Sequence, residues 1–594
     1  MTLIPGFFRR FPPLQLTILS VIVGAVTGLG AIAFKMLLAL LHNIFFQAEF
    51  SFVYDANKFM DEAVWGAGII LVPAVGGMLV VWLVRNFAPE ARGHGVPEVM
   101  DAIYFNQGII RPSVALVKSL ASALSIGSGA AVGREGPIIQ IGSALGSSIA
   151  QFLNMPSSQR ITLLACGAGA GIAATFNTPL GAVLFALELM MPEITAATFL
   201  PVVLATGMAT YVGRLVIGLH PAFIVPIASL PQEAPTSLPA MGGALVLGAV
   251  CGVAAWAFIR LLGYLEDNVQ RLIPNEYLLH ATGMLLVGLI MYGLFHWYGH
   301  YYVAGVGYGT IQAILQGLMT SLPLLAALAV AKLIATSLTL GSGASGGIFS
   351  PSLFIGATLG GAFGSLGAAV LPGMGIKVVP FAMMGMAGVV GATTGASLTA
   401  IVMIFEMTRD YNIIVPMILC VAAAAGIRRL LYTETIYTIK LLARGHHIPT
   451  ARHGNMFMVQ PARTVMSNGV TCVDGTGSIA DVLDELESGR VPERVLAVDG
   501  HRIMGVLPSV ADMLEARSLD PDMPANTLAC QRFVLAHPDD IMFDVLKRMV
   551  RHDVDTALVV GYRHWVPRVD DVHGLITRRQ IGHSVLAGME NYAD

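Results

Sequence analysis

The chain has 594 residues, of which 55% are hydrophobic and only 12% are charged. Soluble domains carry about 25% charged residues, so this composition excludes a purely water-soluble protein and places much of the chain in lipid. A formal net charge of −3 supplies no basic field for nucleic acid, which is therefore excluded as a partner. The five cysteines are scattered without the spacing of a zinc site or a disulfide framework, so we expect no metal site.

Apolar segments separated by short loops occupy positions 14–447, after an N-terminal segment, 1–13, that we expect in the cytosol. Some segments are long enough to cross about 30 Å of hydrocarbon as helices: 16–41, 66–84, 240–262 and 277–295. Others are short and interrupted by Gly or Pro, at 127–137, 176–192 and 341–351. They predict broken or re-entrant helices, because irregular backbone is tolerated at membrane depth only when it is buried in protein or lines a cavity.

Basic residues flank the first and last membrane segments: Arg9, Arg10, Arg428, Arg429, Lys440 and Arg444. Cytoplasmic loops carry an excess of Lys and Arg. The sequence therefore predicts a multi-pass protein of the inner or plasma membrane with both termini in the cytoplasm.

Two parts of the membrane region resemble each other. Positions 127–146 align without gaps to 341–360, and each copy is a Gly-rich loop followed by a predicted helix with Pro137 or Pro351 in its first turn. A second pair, 180–188 and 398–406, lies at nearly the same offset. The chain therefore contains two related halves, about 14–220 and 238–445, an arrangement that in transporters places a binding site between the repeats.

The repeated loops are suited to holding an anion. The free N–H groups and the dipole at a helix N-terminus attract negative charge, and glycines allow the chain to approach an ion closely. Glu135 lies at the start of the first such helix, where an ionised carboxylate can take an anion's place and a protonated one can leave it. The sequence thus predicts an anion site gated by protonation of Glu135; the alternative is a helix-capping acid.

Three motifs together resemble the anion-site signatures of the CLC family of chloride channels and proton-coupled chloride antiporters. They are Gly-His-Gly-Val-Pro-Glu at 93–98, Gly-Arg-Glu-Gly-Pro at 133–137 and Gly-Gly-Ile-Phe-Ser-Pro at 346–351. The resemblance implies a polytopic α-helical membrane protein with two inverted repeats, a homodimer with one pore in each subunit, and chloride as the ligand with no required cofactor.

The resemblance also implies roles for individual residues. Glu135 matches the gating glutamate, the amides of Ile348 and Phe349 match anion donors, and Tyr437 matches the pore tyrosine that donates its hydroxyl to the central anion. The other motif residues expected at the anion site are His94, Gly95, Arg134, Gly136 and Gly347.

The sequence departs from the family at two positions. His94 stands where the family usually has a serine that contacts the anion, and an imidazole is larger and can titrate. The transported anion is therefore open among chloride, bicarbonate, nitrate and fluoride. Leu189 replaces the inner proton-transfer glutamate of antiporters, which favours channel-like or weakly proton-coupled conduction. The alternative is an antiporter that uses His94 as a substitute proton relay.

The composition changes after about position 448. Charged residues, Asp-Gly turns and β-rich runs between amphipathic helices predict a cytosolic α/β module. It resembles a pair of cystathionine β-synthase (CBS) domains, at 459–522 and 523–594 after a linker at 448–458, a module that can bind adenine nucleotides such as ATP, ADP or AMP. Ser509, Asp512 and Thr577 are the expected nucleotide contacts, with helix capping as the alternative for Ser509.

Two other classes of protein account for the sequence less well. An intramembrane metalloprotease needs a His-Glu-x-x-His cluster, which the 15 histidines do not form. A nucleotide-sensing scaffold without conductance leaves the two matched helix starts and Glu135 unexplained. We therefore expect an anion-transport protein and not an enzyme.

Overall fold

The structure is a computed structural model that describes residues 12–226, 237–372, 374–448, 456–487, 494–508, 510–561, 568–582 and 584. It divides into two units: the first has the described residues up to 448 except 104–107, and the second has 104–107 and the described residues after 448.

The first unit is helical. Within the described residues its α-helices are α1 (Pro12–Gln47), α2 (Val72–Phe87), α3 (Val96–Tyr104), α4 (Pro112–Gly127), α5 (Glu135–Phe152), α6 (Ser157–Phe176), α7 (Pro179–Phe185), α8 (Ala196–Ile217), α9 (Leu238–Leu272), α10 (Glu276–Tyr298), α11 (Tyr308–Leu315), α12 (Leu322–Gly341), α13 (Phe349–Val370), α14 (Val378–Thr394), α15 (Ser397–Thr408), α16 (Ile414–Leu431) and α17 (Thr438–Ala443). A π-helical turn, Ala186–Met190, follows α7.

Eight helices in the described part of the chain are long and apolar enough to cross a membrane. They include all four spans predicted from the sequence, which correspond to α1, α2 with the turn before it, α9 and α10. The predicted interruptions are also present: loops separate α4 from α5 and α12 from α13, and Asn177 ends α6 with a left-handed backbone, φ 59°. The membrane class predicted from the sequence is therefore confirmed.

The helices form two repeats, α1–α8 and α9–α16. Equivalent helices pack in equivalent pairs: α1 contacts α8 as α9 contacts α16, and α5 contacts α6 as α13 contacts α14. Pro137 and Pro351 are both the third residue of their helices, α5 and α13. The structure thus extends the short repeat found in the sequence to eight helices in each half.

Glycines permit the closest helix contacts at equivalent places in the two repeats. A Cβ atom on Gly142 would lie 2.2 Å from the carbonyl oxygen of Gly167, between α5 and α6. A Cβ atom on Gly356 would lie 2.3 Å from the carbonyl oxygen of Gly385, between α13 and α14. Small residues at helix interfaces let backbones approach closely in membranes, which explains part of the high glycine count.

The second unit contains two small sheets with helices. Its described elements are α18 (Ala462–Val465), β1 (Val470–Asp474), α19 (Ile479–Glu487), β2 (Arg494–Asp499), β3 (Arg502–Val506), α20 (Val510–Leu519), β4 (Val534–Ala536), α21 (Met542–His552), β5 (Thr556–Val560) and β6 (Val572–Thr577). The strand orders are β1-β2-β3 and β4-β5-β6. In each sheet the first pair is parallel and the second antiparallel.

The two sheets share an apolar cluster. It joins Leu496 and Val506 of the first sheet to Leu558 and Leu575 of the second, all of them buried. The same strand-helix-strand-strand order therefore occurs twice, and the two sheets meet in this shared cluster. This organisation is compatible with the predicted CBS pair.

Candidate functional site

The three glycine-rich motifs lie side by side in the first unit. Gly133 and Gly347 exchange two backbone hydrogen bonds, with N···O distances of 2.7 and 2.6 Å. The N–H of Gly93 donates to the carbonyl of Ala344 at 3.1 Å, and its own carbonyl accepts from Gly346 at 3.3 Å. The loops that precede α3, α5 and α13 are therefore joined through their backbones.

The motif glycines leave no room for side chains between these loops. A Cβ atom on Gly136 would lie 2.1 Å from the carbonyl oxygen of His94, and one on Gly347 would lie 2.7 Å from the nitrogen of Gly136. A Cβ atom on Gly95 would lie 2.9 Å from the carbonyl oxygen of Gly136. Close approach of the three loops thus requires glycine at these positions.

Glu135 is the first residue of α5, and its side chain reaches the N-terminus of α13. The carboxylate Oε2 accepts from the backbone N–H of Ser350 at 3.2 Å, while Oε1 accepts from the Ser350 hydroxyl at 2.5 Å and from the Tyr308 hydroxyl. The residue is only 1% exposed. We call this place the gate position: the carboxylate there uses donors that a free anion would also use.

Ile348 and Phe349 begin the helix to which Glu135 points. Ile348 is the N-cap residue and Phe349 the first helical residue of α13, and both are buried. The structure therefore brings these two predicted anion donors to the same helix start as the predicted gating residue.

His94 and Tyr437 lie together in a second part of the site. His94 stands between Gly93 and Gly95, whose φ angles are +77° and +82°. Its imidazole is 1% exposed, and neither ring nitrogen has a hydrogen-bond partner within the described residues. The ring centroids of His94 and the buried Tyr437 are 6.1 Å apart. An unpaired buried polar group costs about 1–3 kcal/mol, so this imidazole is suited to a ligand.

Two buried lysines hold the loops next to His94 and Tyr308. Lys118 on α4 donates to two carbonyls of the chain before α3, at 2.9 and 2.7 Å. Lys332 on α12 donates to two carbonyls of the loop before α11, at 2.8 and 2.7 Å. Because α4 and α12 are equivalent helices, each repeat fixes one loop of the site in the same way.

A cavity of about 320 Å³ lies next to the gate position. Arg134, Lys35 and Arg214 line it together with Asp55 and Tyr308. Arg134 does not contact the carboxylate of Glu135; its guanidinium lies 5.3 Å from the ring centroid of Tyr308. The excess of basic side chains attracts anions to this cavity.

A second cavity, of about 850 Å³, adjoins the loop of His94. Gly93, Glu98, Lys440 and Arg444 are among its lining residues. Glu98 forms ion pairs with Lys440 at 3.3 Å and with Arg444 at 2.5 Å. The gate position and His94 therefore lie next to two different cavities of the same unit.

Glu188 and Glu406 have reciprocal contacts away from the gate position. Glu188 accepts from the backbone N–H groups of Leu398 and Thr399, at 3.3 and 2.9 Å, at the start of α15. Glu406 accepts from two N–H groups at the start of α7, at 3.1 and 2.7 Å. Each acid therefore caps a helix of the other repeat, and Leu189 beside Glu188 is buried.

Two partners of Glu135, Tyr308 and Ser350, are not predicted from the sequence. Ser350 lies within the third motif, and its hydroxyl is the feature that identifies it as a possible donor. Tyr308 follows Gly-Val-Gly at 305–307, which is spaced from Gly93-His94-Gly95 by nearly the same offset as the repeated segments. The matching spacing of the two glycine pairs therefore marks the loop before Tyr308 as the equivalent of the His94 loop.

The three residues predicted to contact a nucleotide, Ser509, Asp512 and Thr577, belong to the second unit. Ser509 lies outside the described residues, and Asp512 is exposed on α20. Thr577 ends β6, where its hydroxyl donates to Gln580 Oε1 at 3.1 Å and accepts from the Gln580 N–H at 3.4 Å. Thr577 therefore caps the following helical turn, and nucleotide binding stays a prediction.

The fold and site define a class of protein: a membrane protein of two helical repeats whose glycine-rich helix starts converge on a buried carboxylate. The sequence profile of the family described as "Voltage gated chloride channel" matches residues 76–429, more than half of the chain. The chain belongs to this family, the CLC family of transporters and channels, and is not an enzyme.

Related exchange transporters match well over half of this chain. The "H(+)/Cl(-) exchange transporter ClcA" of Vibrio campbellii (strain ATCC BAA-1116) is 34% identical over 380 residues, 63% of this chain and 79% of that protein. The protein of the same name from Salmonella agona (strain SL483) is 33% identical over 443 residues, 73% of this chain and 90% of that protein.

Solved structures show the same fold. A slow cyanobacterial Cl⁻/H⁺ antiporter superposes with a TM-score of 0.62 at 25% identity, over 72% of this chain and 98% of that one. A eukaryotic CLC transporter superposes with a TM-score of 0.62 at 20% identity, over 96% of this chain and 98% of that one. The family match and the related exchange transporters together identify anion transport across a membrane as the activity of this family member.

Proposed function

We propose that the chain exchanges chloride, or a similarly small monovalent anion, for protons, and that Glu135 opens and closes the anion path. The observation that carries the proposal is the carboxylate of Glu135 at the N-terminus of α13, where three donors converge on it. The relatives named as H⁺/Cl⁻ exchange transporters support the exchange of the two ions.

The chemistry of the carboxyl group couples the proton to the anion. An ionised carboxylate is an acceptor only and matches the N–H and O–H donors at the gate position, whereas a neutral carboxyl has a proton to donate and less charge to hold it there. Protonation thus releases the side chain and frees the donors for an anion. Loss of the proton returns the carboxylate and displaces the anion.

Protons need a route to Glu135 that does not use position 189. Leucine there cannot carry a proton, and we propose that His94 relays protons between the second cavity and Glu135. The buried imidazole, with both nitrogens unpartnered in the described part of the chain, supports this role. A neutral imidazole has one donor and one acceptor nitrogen, so it can accept a proton on one side and release one on the other.

Channel-like conduction is the second candidate function. Leu189 favours it, because no acid follows Glu188 at the position where exchangers of the family usually carry one. In this candidate Glu135 still opens the path when protonated, but chloride moves without a stoichiometric proton.

Purified protein in liposomes tests both candidates. An outward chloride gradient is imposed, valinomycin and K⁺ dissipate the voltage, and chloride efflux and external pH are recorded together. Exchange predicts chloride efflux accompanied by proton uptake into the vesicles. Chloride efflux without proton movement contradicts exchange and supports conduction. Chloride efflux no faster than from protein-free liposomes contradicts anion transport altogether.

The family and the second unit support proposals on the assembly, the orientation and the regulation of the chain. We propose a homodimer with both termini in the cytoplasm and an adenine nucleotide bound by the second unit. Arg428 and Arg429 at the end of α16 support the orientation, since basic residues favour the cytoplasmic side. The duplicated sheet arrangement supports the nucleotide proposal.

A further inference from the structure

Tyr308 lies outside the three motifs, yet its hydroxyl contacts the carboxylate of Glu135. We propose that Tyr308, together with Ser350, is a latch that holds ionised Glu135 in the gate position and sets the pH at which the anion path opens. This inference rests on the proposed role of Glu135 as the gate.

Three hydrogen-bond donors favour the ionised, closed state of Glu135. The hydroxyls of Tyr308 and Ser350 both donate to Oε1 and lie 2.8 Å from each other, while the Ser350 N–H donates to Oε2. A carboxylate can accept all three bonds, whereas a neutral carboxyl must place its own proton among these donors. Hydrogen bonds to charged groups are also stronger than neutral ones, so the latch acts on the ionised form.

The surroundings of Tyr308 fix its hydroxyl. The residue is 2% exposed and begins α11 directly after Gly307, whose φ is +78°. The ring centroids of Phe223 and Tyr308 are 5.3 Å apart, with the two rings nearly perpendicular. On another side, the Arg134 guanidinium lies 5.3 Å from the ring centroid of Tyr308. With the ring enclosed on these sides, the hydroxyl stays in place when Glu135 leaves and can then donate to the anion.

Titratable or charged side chains face Glu135 from several elements. They are Tyr308 on α11, Lys332 on α12 and Tyr437 before α17, and Arg134, the residue before Glu135, faces the Tyr308 ring. Of these four, Tyr308 is the group that forms a hydrogen bond with the carboxylate in the described structure. Removing its hydroxyl therefore tests the hydrogen bond and leaves the surrounding charges unchanged.

The substitution Tyr308→Phe tests the latch in the full chain reconstituted in liposomes. It keeps the buried ring and removes one bond to the ionised carboxylate, so the closed state loses stability relative to the open states. We expect the pH of half-maximal chloride efflux to rise by about one to two units, with faster efflux than wild type at neutral pH. Ser350→Ala should shift the profile in the same direction.

Tyr302→Phe is the matched control. Tyr302 is also buried near α11, but its hydroxyl donates to the carbonyl of Tyr298 at 3.3 Å and does not contact Glu135. Its pH profile should equal that of wild type. If the pH profile of Tyr308→Phe is unshifted, or shifted to lower pH, the latch is overturned. If that variant does not fold, an unshifted or downward-shifted profile of Ser350→Ala overturns the latch instead.

Glu135→Gln separates failure of the latch from failure of the gate. If efflux in this variant no longer responds to pH while Tyr308→Phe is unshifted, the gate stands and the latch is wrong. If efflux in Glu135→Gln still responds to pH as in wild type, the gate itself is wrong and the latch is overturned with it.

Discussion

Glu135 is a carboxylate in a place otherwise made of backbone amides and hydroxyls. Acidic residues inside the membrane are expensive and occur where they carry out a function. Its three donors belong to Tyr308 and Ser350, in the other repeat. The carboxylate and an anion therefore compete for the gate position, because both use the same donors.

Glu135→Gln should remove the pH dependence of anion transport. The amide has nearly the same shape but no titrating proton, so chloride efflux should become constant across pH 5–8 and proton uptake should cease. Efflux and external pH in liposomes measure both. Glu406→Gln is the control, because that acid caps α7 and lies away from the gate position; persistent pH dependence in Glu135→Gln, equal to this control, would contradict the gate.

His94→Ser should separate proton movement from anion movement. Serine keeps a donor for the anion but cannot relay a proton at neutral pH. We expect chloride efflux to continue and proton uptake to stop. The relative rates for nitrate and fluoride against chloride should also change, since the donor is smaller. Proton uptake unchanged by the substitution would refute the relay.

At the scale of elements, the equivalent helices α7 and α15 are tied together: an acid in the turn after α7 caps α15, and an acid in α15 caps α7. Glu188 accepts N–H groups at the start of α15, and Glu406 accepts N–H groups at the start of α7. A negative charge at a helix N-terminus is favourable. The two acids that sequence similarity marks as equivalent thus tie the two repeats together.

Glu406→Ala should destabilise the membrane unit without changing its pH response. It leaves two helix N–H groups without their acceptor, and a hydrogen bond to a charged group contributes about 1.5–3 kcal/mol. We expect a lower thermal unfolding temperature in detergent, with Glu406→Gln in between because an amide oxygen still accepts. Unfolding at the wild-type temperature would show that these contacts do not hold the repeats.

The helix starts were predictable because Gly and Pro mark them directly. The sequence also predicts the repeat and the position of Glu135, since both depend on local pattern. The contact of Tyr308 with Glu135 was not predictable in this way, because it depends on how α11 packs against α5 and α13. The same holds for Lys118 and Lys332, whose partners are carbonyl groups that no sequence pattern identifies.

At the scale of the whole molecule, the two repeats surround one candidate path. The cavity lined by Arg134 and Tyr308 adjoins the gate position, and the cavity lined by Gly93 and Lys440 adjoins the loop of His94. A path with a gate near one cavity and a titratable side chain near the other is suited to exchange. Leu189, buried beside Glu188, is the feature that argues for conduction instead.

The reversal potential of the reconstituted protein tests the central claim most directly. Currents are recorded in a bilayer under a fixed chloride gradient, first at equal pH and then with an added pH gradient. Exchange of anions for protons predicts that the pH gradient shifts the reversal potential. A reversal potential that stays at the chloride equilibrium value under both conditions would contradict the proposed exchange.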